Sequence, residues 1–320
     1  MSADAPYATL SPDAVLAAVE SVGVLTDGRL LALNSFENRV YQVGVEDAAP
    51  LVAKFYRAAR WSDAAIEEEH AFAHELVEAE LPVVAPLEFH NSTLLHHGEL
   101  RFALYPRHGG RAPELESAQN LAWMGRLLAR LHGIGARAPF RARGTLDRAT
   151  LIQAPSRAVL ASPLLPAGQR ERYARAIDTL DGLIAERFES VPALRTLRLH
   201  GDCHAGNVLW TDAGPHFVDL DDARMGPAVQ DLWMLAPTPH TLNLLLEGYA
   251  EFRDIDLREL QLIESLRLMR QIHYAGWIAQ RWHDPAFPRA FPFAADARWW
   301  EQHVNDLFEA AQDFGGPDRG

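Results

Sequence analysis

Residues 196–222, TLRLHGDCHAGNVLWTDAGPHFVDLDD, carry the reading on which the fold turns. An apolar approach leads into His200, Gly201 and Asp202, where the glycine marks a turn, and Asn207 follows Asp202 by five positions. Beyond it the pattern predicts a two-strand hairpin: VLW at 208–210, a TDAGP turn, and HFVDL at 216–220, with acids at 219, 221 and 222. Such a hairpin sets Asn207, at its entrance, beside Asp219, at its exit.

Upstream, the first 105 or so residues read as a small mixed unit. Ser11, Pro12 and Asp13 combine a capping residue, a first-turn proline and an acid suited to a helix N-terminus. Strand-like runs follow at 29–33, 38–45 and 51–56, which together predict an antiparallel sheet. Ser62 can cap a helix running to about Glu80, with Ala65, Ile66, Phe72, Ala73, Leu76 and Val77 on its apolar stripe. Of the three consecutive glutamates there, helical periodicity puts only Glu69 within the stripe, while Glu67 and Glu68 point away. An acid on a buried face wants a cationic partner; a site at the stripe's margin, in water, is the alternative. A proline-bounded strand is expected around 82–89. RFALYPR at 101–107, followed by Gly109 and Gly110, is the best linker. From about 117 helical spacing dominates, at 168–187, 227–250, 256–282 and 296–313.

Composition narrows the class of protein. The chain has 320 residues, 48% of them hydrophobic, and a formal net charge of −13. That excludes disordered and nucleic-acid-coating readings, since the chain can fill a core and its field repels polyanions. No apolar run is long enough for a membrane helix, and the start, MSADAPYATLSPDAV, lacks the basic and apolar segments of a leader, so a cytoplasmic location is expected. The single cysteine, Cys203, permits no internal disulfide. Of the 30 basic residues only Lys54 is lysine, which points to a position that needs a compact ammonium rather than a forked guanidinium.

These features assemble into one pattern. A carboxylate and an amide carbonyl are hard oxygen donors suited to Mg²⁺, which also binds substrate phosphates, so Asn207 and Asp219 are the candidate metal ligands. Asp202, on the turn, is placed to accept a proton from a hydroxyl. An Asp, an Asn five residues later and a second Asp match the protein-kinase catalytic pattern, which also asks for a strand lysine on the phosphates and a helix glutamate to fix it. Lys54 and Glu69 fit those roles. Three other readings of the stretch stand beside this one: His200, Asp202 and His204 sharing a strand face as transition-metal ligands, Cys203 as a nucleophile beside His204, and Asp221 or Asp222 replacing Asp219 as a ligand. On an alternating strand Asp221 turns to the same side as Asp219, which keeps it as a secondary candidate.

At this point a family resemblance is visible. LNSFENRVYQV, VAKFYR, EEHAF, RLHGDCHAGNVLW, FVDLDDARMGPAVQDLWML and RWHDPAFPRAFP resemble the stress response kinase A family, in the aminoglycoside-phosphotransferase-like and choline-kinase-like branch of the protein-kinase-like superfamily. The resemblance spans nearly the whole chain. It implies an α+β, bilobal protein-kinase-like fold, with a small antiparallel-sheet N-lobe over 1–105 carrying one regulatory-type helix, and a larger, mainly helical C-lobe over 106–320. It also implies an ATP-dependent serine/threonine protein kinase of bacterial stress survival, using Mg²⁺, with Asp202 as proton acceptor, Asn207 and Asp219 on the metal, and Ser35 over the nucleotide. QDLW at 230–233 resembles the Asp-x-Trp of kinase-like C-lobes, which gives Asp231 a structural role in anchoring the catalytic loop.

From the kinase pattern, adenine is expected against the linker from Phe102 to Tyr105. Partners are then ATP and a protein bearing Ser or Thr, the enzyme itself included, with no nucleic acid or membrane and a monomeric chain. A small-alcohol or aminoglycoside acceptor is the alternative, and a non-enzymatic nucleotide-binding scaffold the third reading. Two departures from eukaryotic protein kinases matter. Leu33 to Val43 contains no glycine, so backbone N–H groups near Ser35 and Phe36 must cover the phosphates. Asp219 to Asp231 contains no Ser, Thr or Tyr, so activation by phosphorylation there is not expected. The late tryptophans Trp277, Trp282, Trp299 and Trp300 are expected to be packing residues, with an acceptor cleft that includes Glu264 as the alternative.

Overall fold

The computed structural model describes residue 7 and residues 9–315, so the start of the chain, from which the absence of a leader is expected, lies in part outside the described residues. Two compact units divide the chain, residues 1–145 with 195–255, and residues 146–194 with 256–320. The lobe boundary expected at 105/106 falls at the end of a strand of the first unit.

The first unit opens with helix α1 (Pro12–Glu20), whose Ser11 side chain accepts from the Ala14 N–H at 3.2 Å. Five antiparallel strands follow: β1 (Thr26–Leu33), β2 (Arg39–Val45), β3 (Leu51–Phe55), β4 (Leu95–His97) and β5 (Leu100–Pro106), in the order β1-β2-β3-β5-β4. Helix α2 (Asp63–Glu78) is capped by Ser62 as expected. Strand alternation sorts this sheet into two faces. Val43, Ala53, Phe55, Phe102 and Leu104 pack on Val15, Ala18 and Val19 of α1, whereas Tyr56 and Ala103 pack on Ile66 of α2.

The strand expected at 82–89 does not form. Pro82 and Pro86 lack N–H donors, and the segment makes only single bridges, Val83 to Phe217 and Phe89 to Ser92. RFALYP, read as a linker, is β5 itself; the irregular stretch begins at 107.

The unit continues through α3 (Ala118–Gly135), then β6 (Leu197–Arg198), the hairpin β7 (Val208–Thr211) and β8 (Gly214–Phe217), β9 (Met225–Gly226), α6 (Val229–Leu235) and α7 (Pro239–Ala250). The hairpin turn is tighter than expected, at Asp212 and Ala213, and its second strand ends at Phe217 rather than 220.

The second unit holds α4 (Ala154–Ala161), which continues from a π-helical turn at Ala149–Gln153, and α5 (Arg170–Glu189), α8 (Ile263–Arg281), α9 (Ala286–Ala290) and α10 (Ala297–Gly315). Its tryptophans do pack. Trp277 meets Phe287 at 4.7 Å between centroids, Trp282 packs against the same cluster, Trp299 stacks on His303, and buried Trp300 donates to the Ala294 carbonyl at 2.8 Å. Among the described residues no helix is long and apolar enough to cross a membrane.

Candidate active site

Register decides where Lys54 points. Lys54 pairs with Ala103, and Val52 with Tyr105, so Lys54 and Tyr105 share the α2 side of the sheet. Phe102 pairs with Phe55 and stacks on it at 5.4 Å on the α1 side. Of the two linker residues expected near the nucleotide, only Tyr105 therefore turns its side chain to the face of Lys54. Its hydroxyl meets that of Tyr56 at 3.1 Å, and the Tyr56 hydroxyl meets His70 Nε2 at 2.7 Å. Burial pushes both phenols up and holds the His70 imidazole down to about 3, with the Lys54 charge adding to that effect.

Lys54 itself is 6% exposed, and its Nζ lies 2.8 Å from Asp219 Oδ1 and 3.2 Å from Asp221 Oδ1. Burial alone would lower its pKa, but Asp219, then Asp221 and Glu69, outweigh that and hold the ammonium well above lysine's ordinary value. The chain's one lysine thus joins the sheet to the segment after the hairpin.

That segment does not continue as a strand. Asp219 takes left-handed backbone angles, φ 61° and ψ 64°, and Leu220–Asp222 forms a 3₁₀ turn. Non-glycine residues adopt this region at a cost, and such strain concentrates at functional sites. The alternation expected to align Asp219 with Asp221 is therefore absent, and the tight turn instead brings both carboxylates to Lys54. Asp219's side chain is half exposed and Asp221's is buried.

The catalytic turn is fixed from behind. Asp231, fully buried at the start of α6, accepts from the backbone N–H of His200 and of Gly201, each at 2.9 Å, and meets His132 Nε2 at 3.1 Å. It is the anchor that QDLW implied. The His200 imidazole reaches the Val218 carbonyl at 3.0 Å, tying the turn to the hairpin exit. Asn207 Nδ2 donates to the Asp202 carbonyl at 2.9 Å, and the Val218 N–H donates to the Asn207 carbonyl at 3.0 Å. Asp202's carboxylate is partly exposed, 3.4 Å from His204 Nε2.

Glu69 is buried on α2 as expected, but the ion pair it makes is with Arg143, at 3.7 Å, and not with Lys54. Burial holds its carboxyl up at about 7, against the opposing pull of Lys54 and Arg143. Glu68, read as pointing away from the apolar stripe, accepts from the consecutive backbone N–H groups of Arg141, Ala142 and Arg143 at 2.7, 2.8 and 3.0 Å, partners that the sequence reading did not name. Further along the same helix, Glu75 takes a bidentate pair from Arg198 at 2.8 and 2.6 Å.

Ser35 lies half-buried in the glycine-free connection between β1 and β2. That connection is braced by Arg57, which donates to the carbonyls of Glu37 and Phe36 at 2.9 and 3.1 Å while its own N–H donates to Asn38 Oδ1 at 3.2 Å. Arg57, Arg60 and Arg143 escaped the sequence reading because nothing local separates a buried arginine from the chain's many exposed ones. Arg143 donates to the carbonyls of Ala65 and Ala223 at 2.9 and 2.6 Å and to that of Asp221. Arg60 bonds Asp221 Oδ2 and, at 2.9 Å, Asp222 Oδ1.

The competing readings of the catalytic stretch lose support. Cys203 is fully buried and its thiol is pushed well up, chiefly by burial and then by Asp231 and Asp202, which removes the thiolate a nucleophile needs. His200 turns inward, and among the described residues no three His, Cys, Asp or Glu side chains converge to hold a metal ion of any kind, so a cation beside Asp219 would need Asn207 and water or phosphate oxygens to complete its shell. The hard-oxygen pair does suit a divalent cation: Asn207 commits its NH₂ to Asp202 and keeps its carbonyl oxygen as the remaining polar end, and the Asp219 carboxylate is solvent-accessible.

A five-stranded antiparallel sheet with a buried strand lysine, facing the acids beyond an Asp-turn-Asn hairpin, defines a kinase-like phosphotransferase. A protein-family model described as the phosphotransferase enzyme family matches residues 29–263. The chain is 44% identical over 308 residues to the serine/threonine protein kinase RdoA of Salmonella typhimurium, covering 95% of this chain and 93% of that one. It is 42% identical over 311 residues to stress response kinase A of Escherichia coli K12, covering 96% and 94%. The chain belongs to the phosphotransferase enzyme family and, within it, to the stress response kinase A family. Among solved structures, amicoumacin kinase hAmiN in complex with AMP-PNP, Ca²⁺ and Ami aligns with a TM-score of 0.71 at 16% identity, over 94% of this chain and 92% of that one. Choline kinase from Cryptosporidium parvum aligns with a TM-score of 0.58 at 12% identity, over 89% of each chain. At these identities the likeness speaks for the fold.

Proposed function

We propose that this kinase transfers the γ-phosphoryl group of ATP to a Ser or Thr hydroxyl of a protein, itself included, within a bacterial stress response. The observation that carries the reading is the contact of Lys54 with Asp219, 2.8 Å, across 165 residues of sequence. It joins a lysine suited to the α/β-phosphates to an acid suited to a metal, next to a turn that presents Asp202. Asp202 orients the acceptor hydroxyl and takes its proton as the oxygen bonds to the γ-phosphorus and the bond to the bridging oxygen breaks, releasing ADP. Lys54 positions the phosphates, and N–H groups near Ser35 cover them, with Arg57 bracing that turn from below. Asn207 and Asp219 would hold a divalent metal, Mg²⁺ in our reading, which when bound neutralises charge on the β- and γ-oxygens. Adenine rests on the Tyr105 side of β5. In this reading residues 1–105 form the nucleotide-phosphate lobe and 106–320 the catalytic and acceptor lobe, in a monomeric, cytoplasmic protein.

A small-molecule hydroxyl is the second reading. It is favoured by the short interval from Asp219 to Asp231, which leaves little platform for a peptide, and by the small-molecule kinases among the structural neighbours. Labelled ATP incubated with the enzyme alone, with generic basic proteins and with amino alcohols, followed by mass spectrometry of the labelled product, separates the two. Phosphoserine or phosphothreonine in protein supports the first; label found only in small alcohols overturns it.

A further inference from the structure

The kinase pattern assigns the fixing of the strand lysine to a helix glutamate, yet here Lys54 makes no ion pair with Glu69, which meets Arg143 instead. Its ion pairs are with Asp219 and Asp221, and those two acids differ in kind. Asp219 is half exposed, on a strained backbone, and is the candidate metal ligand. Asp221 is 3% exposed and held at three points: Oδ1 faces Lys54 at 3.2 Å, Oδ2 bonds Arg60, and its carbonyl accepts from Arg143.

Charge balance then separates the roles. When Asp219 turns to a metal, a buried ammonium loses its closer carboxylate, and a buried charge without a partner is strongly unfavourable. Asp221 cannot follow Asp219 outward without giving up its own bond to Arg60, which would leave that guanidinium with Asp222 and the longer contact to Glu37, so it stays and keeps Lys54 neutralised and aimed.

We infer that Asp221, locked by Arg60, is the positioning residue that fixes Lys54, and that Glu69 is not. This rests on the reading of Lys54 as the phosphate-binding lysine, and it takes Asp221 out of the metal site, where its spacing from Asp219 had left it as a candidate.

The single lysine supplies a test that does not depend on turnover. Chain labelled with [13Cε, 15Nζ]-lysine gives one side-chain resonance set, that of Lys54. In metal-free protein at fixed pH, Asp221→Asn is expected to shift or broaden it, and Glu69→Gln, whose carboxyl acts on Lys54 from a distance without an ion pair, to shift it less. In parallel, Asp221→Asn should raise the KM for ATP about tenfold while the Mg²⁺ concentration for half-activation at saturating ATP changes by less than about twofold. A resonance that moves in Glu69→Gln and not in Asp221→Asn overturns the inference. So does an unmoved resonance in Asp221→Asn accompanied by a large shift in Mg²⁺ dependence, which would make Asp221 a metal ligand. If Asp221→Asn does not fold, Arg60→Gln replaces it: a shifted resonance supports the lock, and an unchanged one ends it. If wild-type protein transfers no phosphate, the phosphotransfer reading fails while the resonance still decides the positioning.

Discussion

Gly201 lies so close to Asp222 that a Cβ on it would stand 2.1 Å from the Asp222 carbonyl oxygen, and its φ of +85° is one that side chains disfavour. The catalytic turn and the segment bearing the acids are thus in backbone contact at a point where no side chain fits. Gly201→Ala should destabilise the fold by about 3 kcal/mol or more, from backbone strain and overpacking together, and depress transfer beyond that loss. Chemical denaturation alongside label transfer checks this; a variant with unchanged stability and rate would show that the contact is not needed.

Asp202→Ala removes a partly exposed carboxylate and should leave the melting curve nearly intact, whereas Asp219→Ala takes the closer carboxylate from buried Lys54 and should cost about 1–3 kcal/mol. Transfer should fall about a hundredfold or more, the range of a lost proton acceptor or metal ligand. Lys54→Arg should fail as well, because the fork is larger and differently directed in a slot set between two carboxylates. Wild-type-like rates in any of the three would remove that residue from the proposed chemistry.

Asp231→Ala leaves the N–H groups of His200 and Gly201 and the ring of His132 without their shared acceptor in a fully buried place. A loss of about 3–5 kcal/mol is expected, as for the removal of one partner of a buried charged network. Thermal melts measure it, and hydrogen exchange at 200 and 201 should rise with it.

Glu69 gives stability a pH signature. Its carboxyl sits at about 7 instead of 4.5, so between those values the folded chain holds a proton that the unfolded chain has released, and stability falls as pH rises through the window. An amide at this position does not titrate. The stability of Glu69→Gln relative to wild type should therefore climb by about 1.4 kcal/mol per pH unit across the window. Urea titrations at several pH values test this, and a difference that stays flat contradicts it.

The interval from Asp219 to Asp231 has no hydroxyl side chain to modify. Exhaustive phosphatase treatment should leave the rate unchanged, and mass spectrometry should find no phosphate in that interval. A treated enzyme that loses its activity, with an essential site mapped there, would refute the expectation.

Much of this arrangement was readable from local pattern. The Ser62 cap, the strand runs that form β2 and β3 and the five-residue step from Asp202 to Asn207 each depend on neighbours in sequence, and each is found. What escaped depends on partners far away. No periodicity marks Glu68 as the acceptor for three amides 73 to 75 residues downstream. Nor could alternation foresee that Asp219 would leave the strand, since aspartate tolerates left-handed angles better than most residues but does not require them. The prolines at 82 and 86 were visible, and their effect outweighs the apolar pattern around them: without N–H donors the segment could flank β8 and never join a ladder.

Helix α2 is fastened at successive levels, by Arg143 at Ala65, by the amides at Glu68, by Tyr56 and Thr93 at His70 and by Arg198 at Glu75. A helix riveted along its whole length acts as a wall and not as a door. Loosening it would mean undoing several buried contacts in concert, a change closer to partial unfolding than to a hinge.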